Sequence, residues 1–440
     1  MGKRAIVLAG GGSRGSYQIG FWRAIRELAI DFQIVTGTSV GSLNGAMMLL
    51  DNYEAAEELW ERLTTKQILD ADLPDVDIFS PKGKIEFARA LTKEVVINKG
   101  VTVKGLEELL REYVDEERFF ASKIDFGLVT VNAQDLKPVM IKKSDMQKDL
   151  LCDYLLSSAA FFPAFVPHKI GEVSYIDGGY YDNLPINLAC ELGATEVIAV
   201  ELKAPGLVRK IDSEYKKIPV RYIKPRFDLG AVTAFAPRFA QRNIILGYND
   251  TMKSYGKLEG FGFTFAKGEY SAAQKDLLPA LQAAFELFSK KDGTALEKIS
   301  SLFLDILGHN ELKDKKNQQE NFYLIAYLAG TAFDLDILPV YSLDNYNREL
   351  IQKAETDRSL LDKLGSMGIK EKLSMLGEAF KTLGRGSIVV LLEDVLRSVA
   401  TGETEPIAIQ RFLLPLGKEV AAAAYLYAVK EIYTQHLSVV

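Results

Sequence analysis

The chain has 440 residues, enough for two domains. Its hydrophobic content of 48% and charged content of 25% are those of a globular protein with a substantial core. The formal net charge of −6 argues against a nucleic-acid partner, which would call for a basic stripe, and leaves contact with a membrane surface open.

The N-terminal stretch "MGKRAIVLAGGG" begins basic and turns apolar, but the apolar run is too short for a signal-peptide core. Ile6 stands where a myristoylation signal wants Ser or Thr. Nowhere does an uninterrupted apolar run reach the length of a membrane span. A cytoplasmic protein is expected, with any membrane contact peripheral. "RAIVLA", residues 4–9, is short, continuous and apolar with a glycine stop, the pattern of a fully buried strand. From Gly15 the period becomes helical, with Tyr17, Phe21, Ile25 and Leu28 on one stripe. "FQIVTG" reads as a second buried strand, and "VGSLNGAMMLL" starts a helix that continues through "EAAEELWERL". Strand, helix, strand and helix joined by tight glycine turns predict an α/β fold with a parallel sheet covered by helices.

Further along, a Pro- and Asp-rich loop, "DADLPDVDIFSPKG", precedes helical segments such as "VKGLEELLREYV". "DFGLVTVNAQDLKPVMI" predicts a hairpin. A helix, "KDLLCDYLLSSAA", leads to the Pro-punctuated "FFPAFVP", and "EVSYIDGGYYDNLP" reads as a strand ending in a glycine turn. "INLACELG" is a short helix and "EVIAVEL" another buried strand. Cys152 and Cys190 both lie in these apolar, helical stretches and read as buried free thiols in a reducing compartment, not as a disulfide framework. Beyond about residue 270 strand signals fade, and "AAQKDLLPALQAAFELFSKK", "EKISSLFLDIL", "ENFYLIAYLAGTAF" and "VAAAAYLYAVKEIY" all show helical periodicity. The expected division is 1–268 and a helical domain, 269–440.

Two glycine-rich turns carry the chemistry. Gly10, Gly12 and Gly15 have the G-x-G-x-x-G spacing of a dinucleotide-binding turn, yet the same backbone N–H groups can serve a charge that forms only during a reaction. A dinucleotide site requires an acid at the end of the second strand. Asp31 precedes that strand, and its end reads Gly37-Thr38-Ser39-Val40-Gly41, a G-x-S-x-G. Between a buried strand and a helix this pattern presents a serine hydroxyl as a nucleophile on a strained turn. Such a hydroxyl needs a base. Of the three histidines, His309 and His436 lie in the helical C-terminal part, and His168 reads as a loop residue. A carboxylate is therefore the expected base, and Asp177, at the end of an apolar strand before Gly178 and Gly179, is the leading candidate. Asp182 reads as a turn or helix-cap residue. No paired histidines or clustered cysteines suggest a metal.

In order, "GGGSRG", "GTSVG" and "DGG" resemble the motifs of the patatin-like phospholipases, with "SSAAFFPAFVP" and "DNLP" similar to the family's intervening segments. The resemblance covers roughly the first 265 residues and implies a three-layer α/β/α core, with a C-terminal all-α domain that carries no family motif. It implies a Ser–Asp dyad without histidine or cofactor, Ser39 as nucleophile and Asp177 as proton acceptor. Gly11, Gly12 and their neighbours in the loop, Gly10, Ser13, Arg14 and Gly15, would supply oxyanion-hole N–H groups. The implied activity is hydrolysis of acyl esters of phospholipids or lysophospholipids through an acyl-enzyme. A short-chain carboxylesterase or thioesterase with the same dyad is the alternative. The aromatic residues of "LLSSAAFFPAFVP" are candidates to line an acyl channel.

Overall fold

The computed structural model describes residues 2–69, 73–74, 76–98, 104–162, 164–287, 315–362, 384–405 and 407–437. It divides into two compact units, Met1–Ser254 and Tyr255–Val440.

In the first unit eight strands form one sheet: β1 Lys3–Leu8, β2 Ile34–Thr38, β3 Asp125–Asn132, β4 Pro138–Lys142, β5 His168–Ile170, β6 Val173–Asp177, β7 Ala194–Val200 and β8 Val220–Ile223. Their order is β5-β6-β3-β2-β1-β7-β8, with β4 also paired to β3. From β3 to β8 all neighbours are parallel, whereas β4, β5 and β6 join antiparallel. The sheet is thus mixed, with a parallel centre. Residues Ala5–Leu8 and all of β2 are buried, as strands covered on both faces must be.

The helices of this unit are α1 Ser16–Glu27, α2 Val40–Leu49, α3 Tyr53–Arg62, α4 Thr65–Leu69, α5 Pro81–Asn98, α6 Lys104–Tyr113, α7 Glu116–Ala121, α8 Leu151–Ala159, α9 Ile186–Glu191 and α10 Pro237–Ser254. Gly45 of α2 packs on Leu8, Val35 and Phe126, while Gly127, one residue on from Phe126, faces Leu188 of α9. Successive strand residues point to opposite faces, so α2 and α9 cover opposite sides of the sheet. That is the three-layer arrangement.

Two expectations are corrected here. The helix beginning at Val40 does not run on through "EAAEELWERL": it stops at Leu49, and Asp51 takes a positive φ of 48°. α2 is buried all round, while α3 buries only Tyr53, Ala56 and Trp60, so the turn lets α3 lie at the surface on one face. The unit boundary also falls before residue 268. Thr264–Phe265 pairs in parallel with Val340–Tyr341, which ties 255–268 to the C-terminal unit and adds a short ladder where no strand was expected.

Apart from that ladder, the second unit is helical, with long helices Lys315–Ala332, Leu343–Asp362, Arg385–Ala400 and Ile407–Leu437, the last kinked at Leu416. Fully buried Glu393 accepts hydrogen bonds from Arg358 and Arg397, each at 2.8 Å, so its charge is paired inside the bundle. The segment "EKISSLFLDIL" and His309 lie outside the described residues. Among the described residues no helix is long and apolar enough to cross a membrane.

Candidate active site

Ser39 sits between β2 and α2 with φ 55° and ψ −130°, a conformation that costs a non-glycine residue about 1–3 kcal/mol. The neighbouring atoms hold it there. Its N–H donates to Ser158 Oγ at 2.9 Å, and its carbonyl accepts the Ser42 N–H at 2.8 Å and the Ser42 hydroxyl at 2.6 Å. A Cβ on Gly41 would lie 2.3 Å from the Leu8 carbonyl oxygen, and one on Gly37 would lie 2.4 Å from Gly41. Any side chain at either flank would therefore push the turn off β1, which is why the serine stands between glycines. Val40 begins α2, and Thr38 bonds the Asp182 carbonyl at 2.7 Å, fastening the end of β2 to the turn beyond Asp177.

Strand register brings Asp177 to this serine. Residues 127–129 of β3 pair with both β2 and β4, and residues 130–131 pair with both β6 and β4. A strand has two edges, so β2 and β6 must share the edge opposite β4, one ending where the other begins. Thr38 lies beside Val129 and Asp177 beside Thr130, the next residue along. The last residue of β6 is thereby delivered to the turn that leaves β2. Gly178 allows the abutment, because a Cβ there would fall 2.1 Å from the Val129 carbonyl oxygen.

The Asp177 carboxylate is buried and accepts the Gly179 N–H at 2.7 Å. Burial pushes its pKa up to about 6, opposed by a hydrogen bond from the Ser39 side chain and by the Gly179 N–H. The carboxyl is thus a stronger base than a solvated aspartate, and it lines the same cavity as the serine held on a strained turn.

The loop 10–15 faces the same place, but its six residues are not equivalent. The Gly10 N–H is taken by the Asn183 carbonyl, that of Ser13 by Val232 and that of Arg14 by Gly11. The Gly11 and Gly12 amides have no protein acceptor among the described residues, and both residues line the cavity with Ser39 and Asp177. Gly12 has φ +54°, and a Cβ there would meet the Val232 carbonyl oxygen at 2.0 Å. Gly15 packs against Val40 and Trp60. The Arg14 guanidinium donates to the carbonyls of Gly230 at 2.7 Å, Leu202 at 3.2 Å and Lys203, and so anchors the loop.

The other candidates take structural places. His168 lies in β5 and its Nε2 meets Asp153 at 2.9 Å, away from Ser39's cavity lining. Asp182 accepts the N–H groups of Leu184 and Arg209, each at 3.3 Å, as a turn residue. Cys190 is buried and Cys152 half-buried, and both are free. No metal-binding group of His, Cys, Asp or Glu occurs among the described residues.

Ser39 and Asp177 open onto a cavity of about 510 Å³. Of the segment expected to line it, Ala159, Phe161 and Phe165 do so. Much of the wall comes from elsewhere: Leu43 and Met47 of α2, Leu59 and Trp60 of α3, Leu106 and Tyr113 of α6. An amphipathic helix gives the same residue pattern whether its apolar face meets a core or a cavity, so these residues carried no distinguishing signal.

Sequence reasoning also missed Ser158. It is fully buried, accepts the Ser39 N–H and donates to the Val129 carbonyl at 2.7 Å, while two residues on the Ala160 carbonyl accepts the Asp177 N–H at 2.9 Å. The end of α8 therefore holds both key residues. Ser158→Ala is expected to lower kcat about 10-fold or more with KM little changed, because one lost buried hydrogen bond is worth about 1–3 kcal/mol and here it loosens the strained serine. The hydroxyl of equally buried Ser157 bonds only the Tyr154 carbonyl of its own helix, so Ser157→Ala should leave kcat near wild type. Parallel kinetics of the two variants distinguish positioning from general loss of stability.

A family model for the patatin-like phospholipases matches residues 6–190, from β1 through α9. Among curated relatives, patatin-like phospholipase domain-containing protein 7 of Rattus norvegicus is 29% identical over 205 residues, covering 45% of this chain. Neuropathy target esterase sws of Drosophila melanogaster is 29% identical over 208 residues, and lysophospholipase NTE1 of Candida albicans 24% over 204, each again 45% of this chain. These matches take in 13% of each relative's own length. The crystal structure of VipD from Legionella pneumophila aligns over 97% of this chain and 90% of that one at 14% identity with a TM-score of 0.38, a value too low to bear on the fold. Over residues 6–190 the chain is therefore similar to the patatin-like phospholipase family.

Proposed function

We propose that this chain is a serine acyl hydrolase that cleaves carboxylic esters of phospholipids or lysophospholipids. The observation that carries the reading is that a serine on a strained turn, Ser39, and a buried carboxylate, Asp177, line the same apolar cavity of about 510 Å³. Ser39 Oγ attacks the ester carbonyl carbon while Asp177 accepts its proton. The carbonyl oxygen becomes an oxyanion held by the Gly11 and Gly12 N–H groups. As the tetrahedral intermediate collapses, the C–O bond to the alcohol breaks and Asp177 returns the proton to the leaving oxygen. Water then attacks the acyl-enzyme, Asp177 takes a proton from it, and collapse releases the fatty acid and restores the Ser39 hydroxyl. The similarity to relatives named esterase and lysophospholipase supports the reading. Cytoplasmic residence, with substrate met at a membrane surface, belongs to the same proposal.

A fluorophosphonate probe should label the protein, and mass mapping should find the adduct on Ser39. Labelling elsewhere, or none, would overturn the assignment. A nitrophenyl-ester series separates the long-chain reading from a short-chain carboxylesterase or thioesterase, since the cavity predicts rising kcat/KM with acyl length. Because Asp177 must be ionised to accept a proton and titrates near 6, kcat/KM on a soluble ester should rise through pH 6 and level off above about 7. A profile flat from pH 5 to 8 would remove Asp177 from the base role.

A further inference from the structure

Of the thirteen large apolar side chains exposed among the described residues, five belong to loops that also line this cavity: Phe162, Val166, Tyr180, Leu207 and Val208. They come from three loops that touch one another. The Leu207 N–H donates to the Gly179 carbonyl at 2.9 Å, the Tyr180 hydroxyl bonds the Phe162 carbonyl, and the Tyr180 ring stacks on Phe161 at 6.4 Å. Phe161, Tyr180 and Leu207 also line the cavity, so the exposed rim and the buried wall are one continuous apolar surface. Leu207 and Val208 are 64% and 59% exposed, which is unfavourable in water unless something covers them.

The flanking charges say what covers them. The loop tip lies within "KAPGLVRK", where exposed Lys203 precedes the apolar residues and Arg209 and exposed Lys210 follow. The other tip, within "FFPAFVPHK", is followed by exposed Lys169. Arg209 is engaged with Asp212 at 3.3 Å and over the Tyr181 ring, and Lys203 is partly desolvated near Asp250 and Glu201, while Lys169 and Lys210 are exposed. Apolar and aromatic tips with cations behind them match a lipid interface with anionic headgroups, where rings sit at headgroup level and each cation gains from the surface potential.

We infer that the rim formed by Phe162, Val166, Tyr180, Leu207 and Val208 docks on an anionic lipid surface, so that an acyl chain passes from lipid to cavity without crossing water. This rests on the proposed hydrolase reading for what enters the cavity. The test measures co-sedimentation with phosphatidylcholine vesicles, with and without phosphatidylglycerol, alongside hydrolysis of a soluble short-chain ester. The full chain should pellet with the anionic vesicles. Phe162→Ser combined with Val208→Ser should weaken that partitioning about tenfold or more, given the apolar area removed. Neither residue lines the cavity, so turnover of the soluble ester should stay at the wild-type rate. Lys203→Glu with Lys210→Glu should abolish the preference for phosphatidylglycerol, and Val96→Ser, at a more exposed site on α5, should change nothing. Wild-type protein that does not pellet, or rim variants that pellet equally, would overturn the inference. A solution dimer that the rim variants dissociate would assign the patch to a second copy and overturn it too. A wild-type chain that pellets as expected but hydrolyses no ester would sink the hydrolase reading alone.

Discussion

Ser39→Ala and Asp177→Asn are each expected to lower ester hydrolysis by on the order of 10⁴-fold or more, and the double variant by little more than either alone. The shared loss follows from chemistry: without the hydroxyl there is no acyl-enzyme, and without the carboxylate there is nothing to take the proton as the bond forms. Purified variants assayed on one soluble ester check this. Single losses that multiply in the double variant would mean the two residues do not act as a unit.

The same pair should separate activity from stability. Asp177 has its folded pKa raised from 3.8 to about 6 by burial. For an acid whose pKa is raised on folding, the folded state is favoured while the carboxyl is protonated, and that advantage is lost as pH rises from about 4 through 6. At pH 8 the buried charge costs on the order of 2–3 kcal/mol, since a tenfold change in proton affinity is worth about 1.4 kcal/mol. Asparagine keeps the shape and an acceptor for the Gly179 N–H without the charge. Asp177→Asn should therefore unfold at higher denaturant concentration than wild type at pH 8, with the difference fading near pH 4. An inactive variant less stable than wild type at pH 8 would show that the burial penalty is not what raises this pKa.

Which parts of this were legible in the sequence follows from which forces are local. The two catalytic candidates were legible because their settings are: a serine between glycines at a strand end, and an aspartate before two glycines at another. Steric demand at Gly37, Gly41 and Gly178 is written into the chain as glycine. The pairing of Ser39 with Asp177 was legible by elimination of the histidines and by resemblance, but not the route that brings them close, since β2 and β6 share one edge of β3, a pairing no local pattern encodes. Within the 10–15 loop the resemblance put Gly11 and Gly12 first, and the physical reason for that distinction is non-local. Asn183 and Val232 lie far along the chain and consume the Gly10 and Ser13 amides, leaving those of Gly11 and Gly12. Ser158 was hidden for the same reason: a serine in an apolar helix looks like a tolerated small residue until its partner is known to be the Ser39 N–H. The second unit was legible as helices from their period, but the ladder of two residues per strand is too short to leave an alternation.

Gly12→Ala should lower kcat about 10²–10³-fold with KM changed far less. Two separate constraints act at this position. The φ of +54° disfavours any side chain, and the new methyl would lie 2.0 Å from the Val232 carbonyl oxygen, a backbone atom that cannot step aside cheaply. That carbonyl also accepts the Ser13 N–H at 2.8 Å, so relieving the clash pulls the loop away from its own anchor. The Gly11 and Gly12 N–H groups then miss the oxyanion, which exists only in the transition state, so the loss falls on kcat. Gly171 is the matched control: its φ is +62°, but nothing lies within 4 Å of where a Cβ would stand. Gly171→Ala carries the backbone strain without the collision and should cost about 1 kcal/mol of stability with turnover unchanged. Steady-state kinetics and denaturant unfolding of both variants separate strain from loop displacement. Equal kcat losses at the two glycines would remove the 10–15 loop from transition-state stabilisation.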